Sequence, residues 1–181
     1  LWYTINSRTP DLLNMVNMRD DTDPLNIREG NAGLRNSYQY QWRFTYLVNR
    51  KVYQPLGLEY SFTDDALAIG YSYDTATGIR TRKAYNVDGN WNAGATYDIA
   101  FPLDKQKRLR LTSITGANHR QSADLVGVNT GDVVRSTVKT EGLDQMLKLD
   151  YRIGQHAISA KFDGGWRYVN SRRDDFTNLN I

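Results

Sequence analysis

The sequence predicts a mainly β protein, an antiparallel up-and-down meander of long strands. Three observations carry this: apolar and polar side chains alternate over several stretches, as successive strand residues point to opposite faces; helical periodicity is nearly absent; and the connections alternate between short and long.

The alternation is clearest where Tyr38, Tyr40, Trp42, Phe44, Tyr46 and Val48 occupy the even positions and Gln39, Gln41, Arg43, Thr45 and Asn49 the odd ones, Leu47 excepted. A second stretch places Leu56, Leu58, Tyr60 and Phe62 on one parity and Leu67, Ile69, Tyr71 and Tyr73 on the other, across Thr63-Asp64-Asp65. One inserted residue swaps parity, and no Gly supplies the positive φ of a two-residue hairpin turn, so a single long bulged strand is expected. The third strand has Trp91, Ala93, Ala95, Tyr97, Ile99 and Phe101 against polar or small neighbours, and Pro102 ends it. A fourth, roughly Arg108 to Asn118, is less regular. Leu143, Leu147, Leu149, Tyr151 and Ile153 alternate with charged residues, and after Gly154-Gln155 the pattern resumes as Ile158, Ala160, Phe162, Trp166 and Tyr168, a hairpin with a very short turn.

The links near 49–55, 102–107 and 154–155 are short, whereas 74–83, 119–140 and the residues after 170 read as long loops. In a meander all short links then fall on one edge. Residues 1–36 read as a strand end and loop, 37–170 as about six strands, and 171–181 as a loop. Pro10 to Val16 allows a single helical turn inside the first loop.

Composition narrows the function. Lys plus Arg number 23 and Asp plus Glu 20, a net charge of +3, far from the concentrated basic face that nucleic acid requires. No cysteine is present, which removes disulfides, thiolate nucleophiles and Cys-ligated zinc. No apolar run approaches the length of a membrane-spanning helix, the best being Ala66 to Tyr71, so any membrane contact must use strands. Yet aromatic residues make up 12%, with 12 Tyr and 4 Trp, in a chain whose mean hydropathy is −0.63.

That combination fits a transmembrane β-barrel. Its strands alternate lipid-facing with lumen-facing side chains between aromatic girdles, and its turns are short on one side and long on the other. The candidate lipid-facing residues are Tyr38, Tyr40, Trp42, Phe44, Tyr46, Trp91, Tyr97, Phe101, Leu149, Tyr151, Phe162, Trp166 and Tyr168. Glu59, Asp98, Lys148, Asp150, Lys161 and Asp163 fall on the opposite face. Six strands are fewer than the roughly eight of the smallest barrels. With Leu-Trp-Tyr-Thr at its start and Asn180-Ile181 at its end, the chain reads as an internal barrel fragment. The alternative is a soluble β-sandwich or lectin-like ligand-binding module.

The stretch from Thr9-Pro10 through Asp23-Pro24-Leu25-Asn26-Ile27-Arg28-Glu29-Gly30-Asn31-Ala32-Gly33-Leu34 resembles the outer-membrane β-barrel proteins of Bacteroidota related to TonB-dependent receptors. In that family a Pro-Leu and a Gly-Asn-Pro-x-Leu-Lys-Pro motif precede a barrel strand. Gly30-Asn31 and Leu34 match, while Ala32, Arg35 and Asn36 replace the first Pro, the Lys and the second Pro. Asn86-Val87-Asp88-Gly89-Asn90-Trp91-Asn92, then Phe101-Pro102-Leu103 and the basic turn from Lys105 to Lys107, are similar to the family's paired long strands. The resemblance implies a bacterial outer-membrane location and a parent with a plug domain. It also implies uptake of a bulky nutrient, with a periplasmic energy-coupling protein and a surface lipoprotein as partners.

No catalytic constellation is visible, so the chain is expected not to be an enzyme and to use no cofactor or metal. His119 and His156 lie far apart, Asp20-Asp21-Thr22-Asp23 lacks the spacing of a calcium loop, and Gly127, Gly131 and Gly142 form no phosphate loop. A ligand is best sought at the loop edge, in 74–83, 119–140 and Arg172-Arg173-Asp174-Asp175. An isolated piece would have to cover its aromatic face with lipid, the rest of the barrel or another copy of itself.

Overall fold

The computed structural model describes residues 1–49, 52–127, 133–171 and 175–180. Its elements, in chain order, are β1 (Trp2–Arg8), α1 (Leu12–Met15), β2 (Arg19–Asp20), β3 (Asn26–Glu29), β4 (Ser37–Asn49), β5 (Tyr53–Asp64), β6 (Ala66–Tyr73), β7 (Arg80–Val87), β8 (Asn90–Pro102), β9 (Leu109–Gly127), β10 (Val133–Ile153), β11 (His156–Asn170) and β12 (Asp175–Asn180).

Eight strands form an open antiparallel sheet in the order β1-β4-β5-β8-β9-β10-β11-β12, and the six between residues 37 and 170 are the expected meander. The single turn of α1 falls inside Pro10 to Val16; the Asp11 carboxylate caps it by accepting the Leu13 N–H at 3.2 Å.

A second sheet, β2-β3-β7-β6, sits beyond the end of the first opposite the short turns. It corrects the expected bulge. The strand does run through Asp64-Asp65 without turning back, but no extra residue is inserted. Thr63 pairs with Asn90 below the break and Ala66 with Val87 above it, so each strand omits two residues and the ladder resumes in the same register. Asp65 (φ 51°) and Gly89 (φ 97°) take left-handed conformations at this paired step. Asp88 accepts the Asp65 N–H at 2.8 Å, and the Asn86 amide donates to the Asp65 carbonyl at 2.8 Å and to the Arg35 carbonyl at 3.0 Å.

Three expected loops are also corrected. Within 74–83, residues 80–83 open β7, which returns to pair with β6. Most of 119–140 is the paired upper part of β9 and β10, with 128–132 outside the described residues. The segment 171–181 contains β12, which pairs with β11. For β7 and the upper parts of β9 and β10 the backbone pairs without a clean apolar–polar alternation to announce it.

Gly30 and Asn31 of the family-like motif join the first loop to this second sheet. The Gly30 N–H donates to the Met18 carbonyl at 2.9 Å, and the Asn31 side chain donates to the Ala84 carbonyl at 2.9 Å. Ile27 and Ala84 are the most buried apolar residues among those described, at 3% and 4% exposure, and with Val87 they form a small core in the second sheet, while the wall's only buried apolar residues are Ala100 and Ala123.

Candidate functional site in the two faces of the wall

Opposed residues in an antiparallel ladder share a face. Tyr40 opposes Phe62, which opposes Trp91; Tyr46 opposes Leu56, which opposes Tyr97. Phe101 reaches Leu149 through Leu111, and Trp42 reaches Tyr168 through Tyr60, Ala93, His119 and Glu141. Tyr38, Phe44, Tyr151, Phe162 and Trp166 share parity with these, so all thirteen residues picked out from the sequence gather on one face.

On this face the rings touch in sequence across strands. Tyr3 and Trp42 have centroids 5.0 Å apart, Trp42 and Tyr60 5.8 Å, Tyr60 and Trp91 6.3 Å, and Trp91 and His119 4.8 Å. The result is one aromatic row near the end that leads to the second sheet. His119 closes it, its Nδ1 3.2 Å from Glu141, where the face turns polar. Below lie aliphatic residues left open to solvent, Leu58 at 43% and Ile158 at 61% exposure.

The register also fixes the geometry of this apolar face. The row through Tyr53 passes Ala100 and Thr112 to Lys148, yet the β10–β11 hairpin closes at Ile153, five residues further on. From the middle of the β4–β5 hairpin to the middle of the β10–β11 hairpin is four inter-strand steps. At about 3.3 Å per residue and about 4.8 Å per strand, this stagger corresponds to a strand tilt of roughly 40°. Closed barrels require about 35–45°.

Tyr38–Val48, Trp91–Phe101, Leu143–Ile153 and Ile158–Tyr168 each span ten residue steps. That is about 33 Å along the strand, or about 25 Å of height at such a tilt, the height of a barrel's lipid-facing band.

The opposite face is polar and shallow. Glu59, Asp98, Lys148, Asp150, Lys161 and Asp163 all share it, as the sequence suggested. Lys148 and Lys161 oppose each other, and each is answered along its own strand, by Asp150 at 2.9 Å and Asp163 at 2.9 Å. Arg43 pairs with Glu59 at 3.7 Å.

Polar side chains here lie across glycines of the next strand. A Cβ on Gly94 would come within 2.9 Å of Glu59, one on Gly165 within 2.8 Å of Asp144, and one on Gly142 would collide with Asn118. This inlay leaves open troughs of about 620 Å³, between Arg43, Thr96 and Asn118, and about 520 Å³, beside Asp144 and Arg167.

The predicted ligand edge is only partly described, since 172–174 lie outside the described residues. Of the two histidines, His119 belongs to the aromatic row and His156 to the short turn after β10, so nothing unites them. Among the described residues no three His, Asp or Glu side chains converge as a metal site.

A tilted antiparallel wall with a lipid-height apolar band outside and a polar face within is that of an outer-membrane β-barrel. The match of residues 3–181 to the outer membrane protein beta-barrel family agrees, and the chain belongs to that family, which places it in the bacterial outer membrane. Comparison with curated proteins and with solved structures gives no match.

Proposed function

We propose that this chain forms part of the wall of a TonB-dependent receptor-like transporter that admits a bulky nutrient. One observation carries most of the reading: the sheet is open, with β1 and β12 as its edges, although its stagger already has the tilt of a closed barrel. Further strands of the parent protein would close it around a wide lumen. The polar, glycine-inlaid inner face with its shallow troughs suits a plug domain or a large solute sliding past.

In this reading the thirteen aromatic and aliphatic residues of the outer face contact lipid. The rest of the barrel covers the sheet edges, and no catalytic step is involved. A periplasmic energy-coupling protein and a surface lipoprotein complete the transport system, and an isolated wall segment self-associates. The relation to the Bacteroidota receptors rests on Gly30-Asn31, Leu34 and the strand pair around Trp91.

The test is uptake of labelled oligomeric nutrients by cells expressing the parent protein, with and without a protonophore. Energy-dependent uptake that stops when the energy-coupling protein is deleted supports the reading. Uptake that persists unchanged makes the barrel a passive pore instead.

A further inference from the structure

The second sheet carries a positively charged recess that no part of the wall explains. In the parallel pairing of β3 with β7, Asn26 lies beside Arg80 and Arg28 beside Arg82, while antiparallel β6 sets Tyr73 opposite Arg80 and Tyr71 opposite Arg82. These side chains therefore share one face. Asn26, Ile27, Arg28, Tyr71, Arg80 and Arg82 line a cavity of about 340 Å³.

The charge in this recess is only partly offset from within, three guanidinium groups against one nearby carboxylate. Glu29 lies on the other face, where it is held by Arg19 and by Lys83, each at 3.6 Å. Asp20 shares the arginine face opposite Arg28 and offsets part of its charge; its carboxylate accepts from the Thr22 hydroxyl at 2.6 Å and the Thr22 N–H at 3.2 Å and forms no ion pair with the recess arginines. Among the described residues no carboxylate lies within ion-pair distance of Arg28, Arg80 or Arg82; the Arg82 guanidinium donates to the Asn14 side-chain amide oxygen (Oδ1) at 3.5 Å.

Arg80 is held in place by aromatic faces, 4.0 Å above Tyr71 and 5.9 Å from Tyr73, and its buried Nε has no acceptor. Three guanidinium groups converging on a small cavity, one of them preorganised on a ring and short of an acceptor, form a site for an oxyanion.

We propose that this recess binds a phosphate-type anion, carried either by a lipid headgroup of the outer leaflet or by a free solute arriving at the barrel mouth. Its position beyond the end opposite the short turns fits both sources, since long hairpins face the cell exterior in barrels of this kind. The inference does not depend on whether the barrel transports.

The experiment uses the intact protein in maltoside micelles, titrated with inorganic pyrophosphate by calorimetry. In parallel, its thermal midpoint is compared in nanodiscs of lipid A and of the same lipid stripped of phosphate. The variants are Arg28→Gln and Arg82→Gln, with inner-face Arg167→Gln as the control.

Pyrophosphate binding that weakens by about tenfold in the two recess variants and not in the control identifies a free-solute site. A midpoint raised only by phosphorylated lipid A, with the rise lost in the same variants, identifies a headgroup site. Binding absent in both arms, or unchanged in Arg28→Gln and Arg82→Gln, overturns the proposal. Arg28 is exposed, so its loss leaves the sheet folded.

Discussion

On either side of the Asp65–Gly89 step the same two strands obey different rules. Below it, β5 and β8 alternate, with Leu58, Tyr60 and Phe62 on one face and Glu59, Ser61 and Thr63 on the other. Above it, β6 keeps Leu67, Ile69, Tyr71 and Tyr73 on one parity, but β7 carries Arg, Lys, Thr and Asn on both, and the backbone is ordered by ladder hydrogen bonds and by a few clamps such as Asn86. The sequence pattern thus records a difference between the two faces of a strand more faithfully than the strand itself.

The sharpest way to test this contrast is to place a charge on each face. Leu58→Arg, in the middle of the apolar band, is expected to cost about 2–4 kcal/mol in urea unfolding of the lipid-embedded barrel. Gln41→Arg, on the polar face of the neighbouring strand, should change stability by less than about 0.5 kcal/mol. Equal costs would mean that the outer face is not in lipid.

The glycine inlay should be the next most sensitive. Gly94→Val drives its side chain into Glu59 and is expected to cost about 1–3 kcal/mol. The paired substitution Gly94→Val with Glu59→Ala should recover much of that, as a double-mutant cycle would show.

At the step itself, Asp65→Val puts a β-branched residue at positive φ, for an expected loss of about 1–2 kcal/mol. Asp65→Gly should be tolerated better, although it too gives up the 2.6 Å ion pair with Arg35. A valine variant as stable as the glycine variant would contradict the left-handed conformation.

The smallest effect concerns the turn from β6 to β7. The Thr77 hydroxyl, donating at 2.7 Å, and then the Ala76 N–H at 2.9 Å hold the Asp74 carboxyl below its ordinary 3.8. The stabilisation is therefore present above pH 3.8 and lost as the pH falls through the lowered value of the folded protein. Protection of the Ala76 N–H, taken relative to the intrinsic exchange rate at each pH, should fall over that acid range, and Asp74→Asn should remove this pH dependence of the protection.

The wall was legible because Tyr38 to Val48 and Leu143 to Ile153 announce their faces residue by residue. The hairpin ends were not: His119 to Gly127 and Arg80 to Lys83 are mostly polar on both parities and read as loops although they are strands. The parity swap at Asp64-Asp65 looks the same from one strand whether a residue has been inserted or both strands step aside together. Only the count on the partner, from Val87 to Asn90, separates the two. All thirteen outer-face residues could be chosen from alternation. The arginine recess could not, since it depends on a parallel pairing between Asn26 and Arg80 that no local pattern encodes.

Because both strands omit the same number of residues at the step, the pairing below it carries no memory of what stands above. A hairpin grafted at Asp64 and Asn90 can be lengthened, shortened or exchanged while every wall residue keeps its neighbour and its face. The barrel can therefore change what it presents to its surroundings without rebuilding the part that holds it in the membrane.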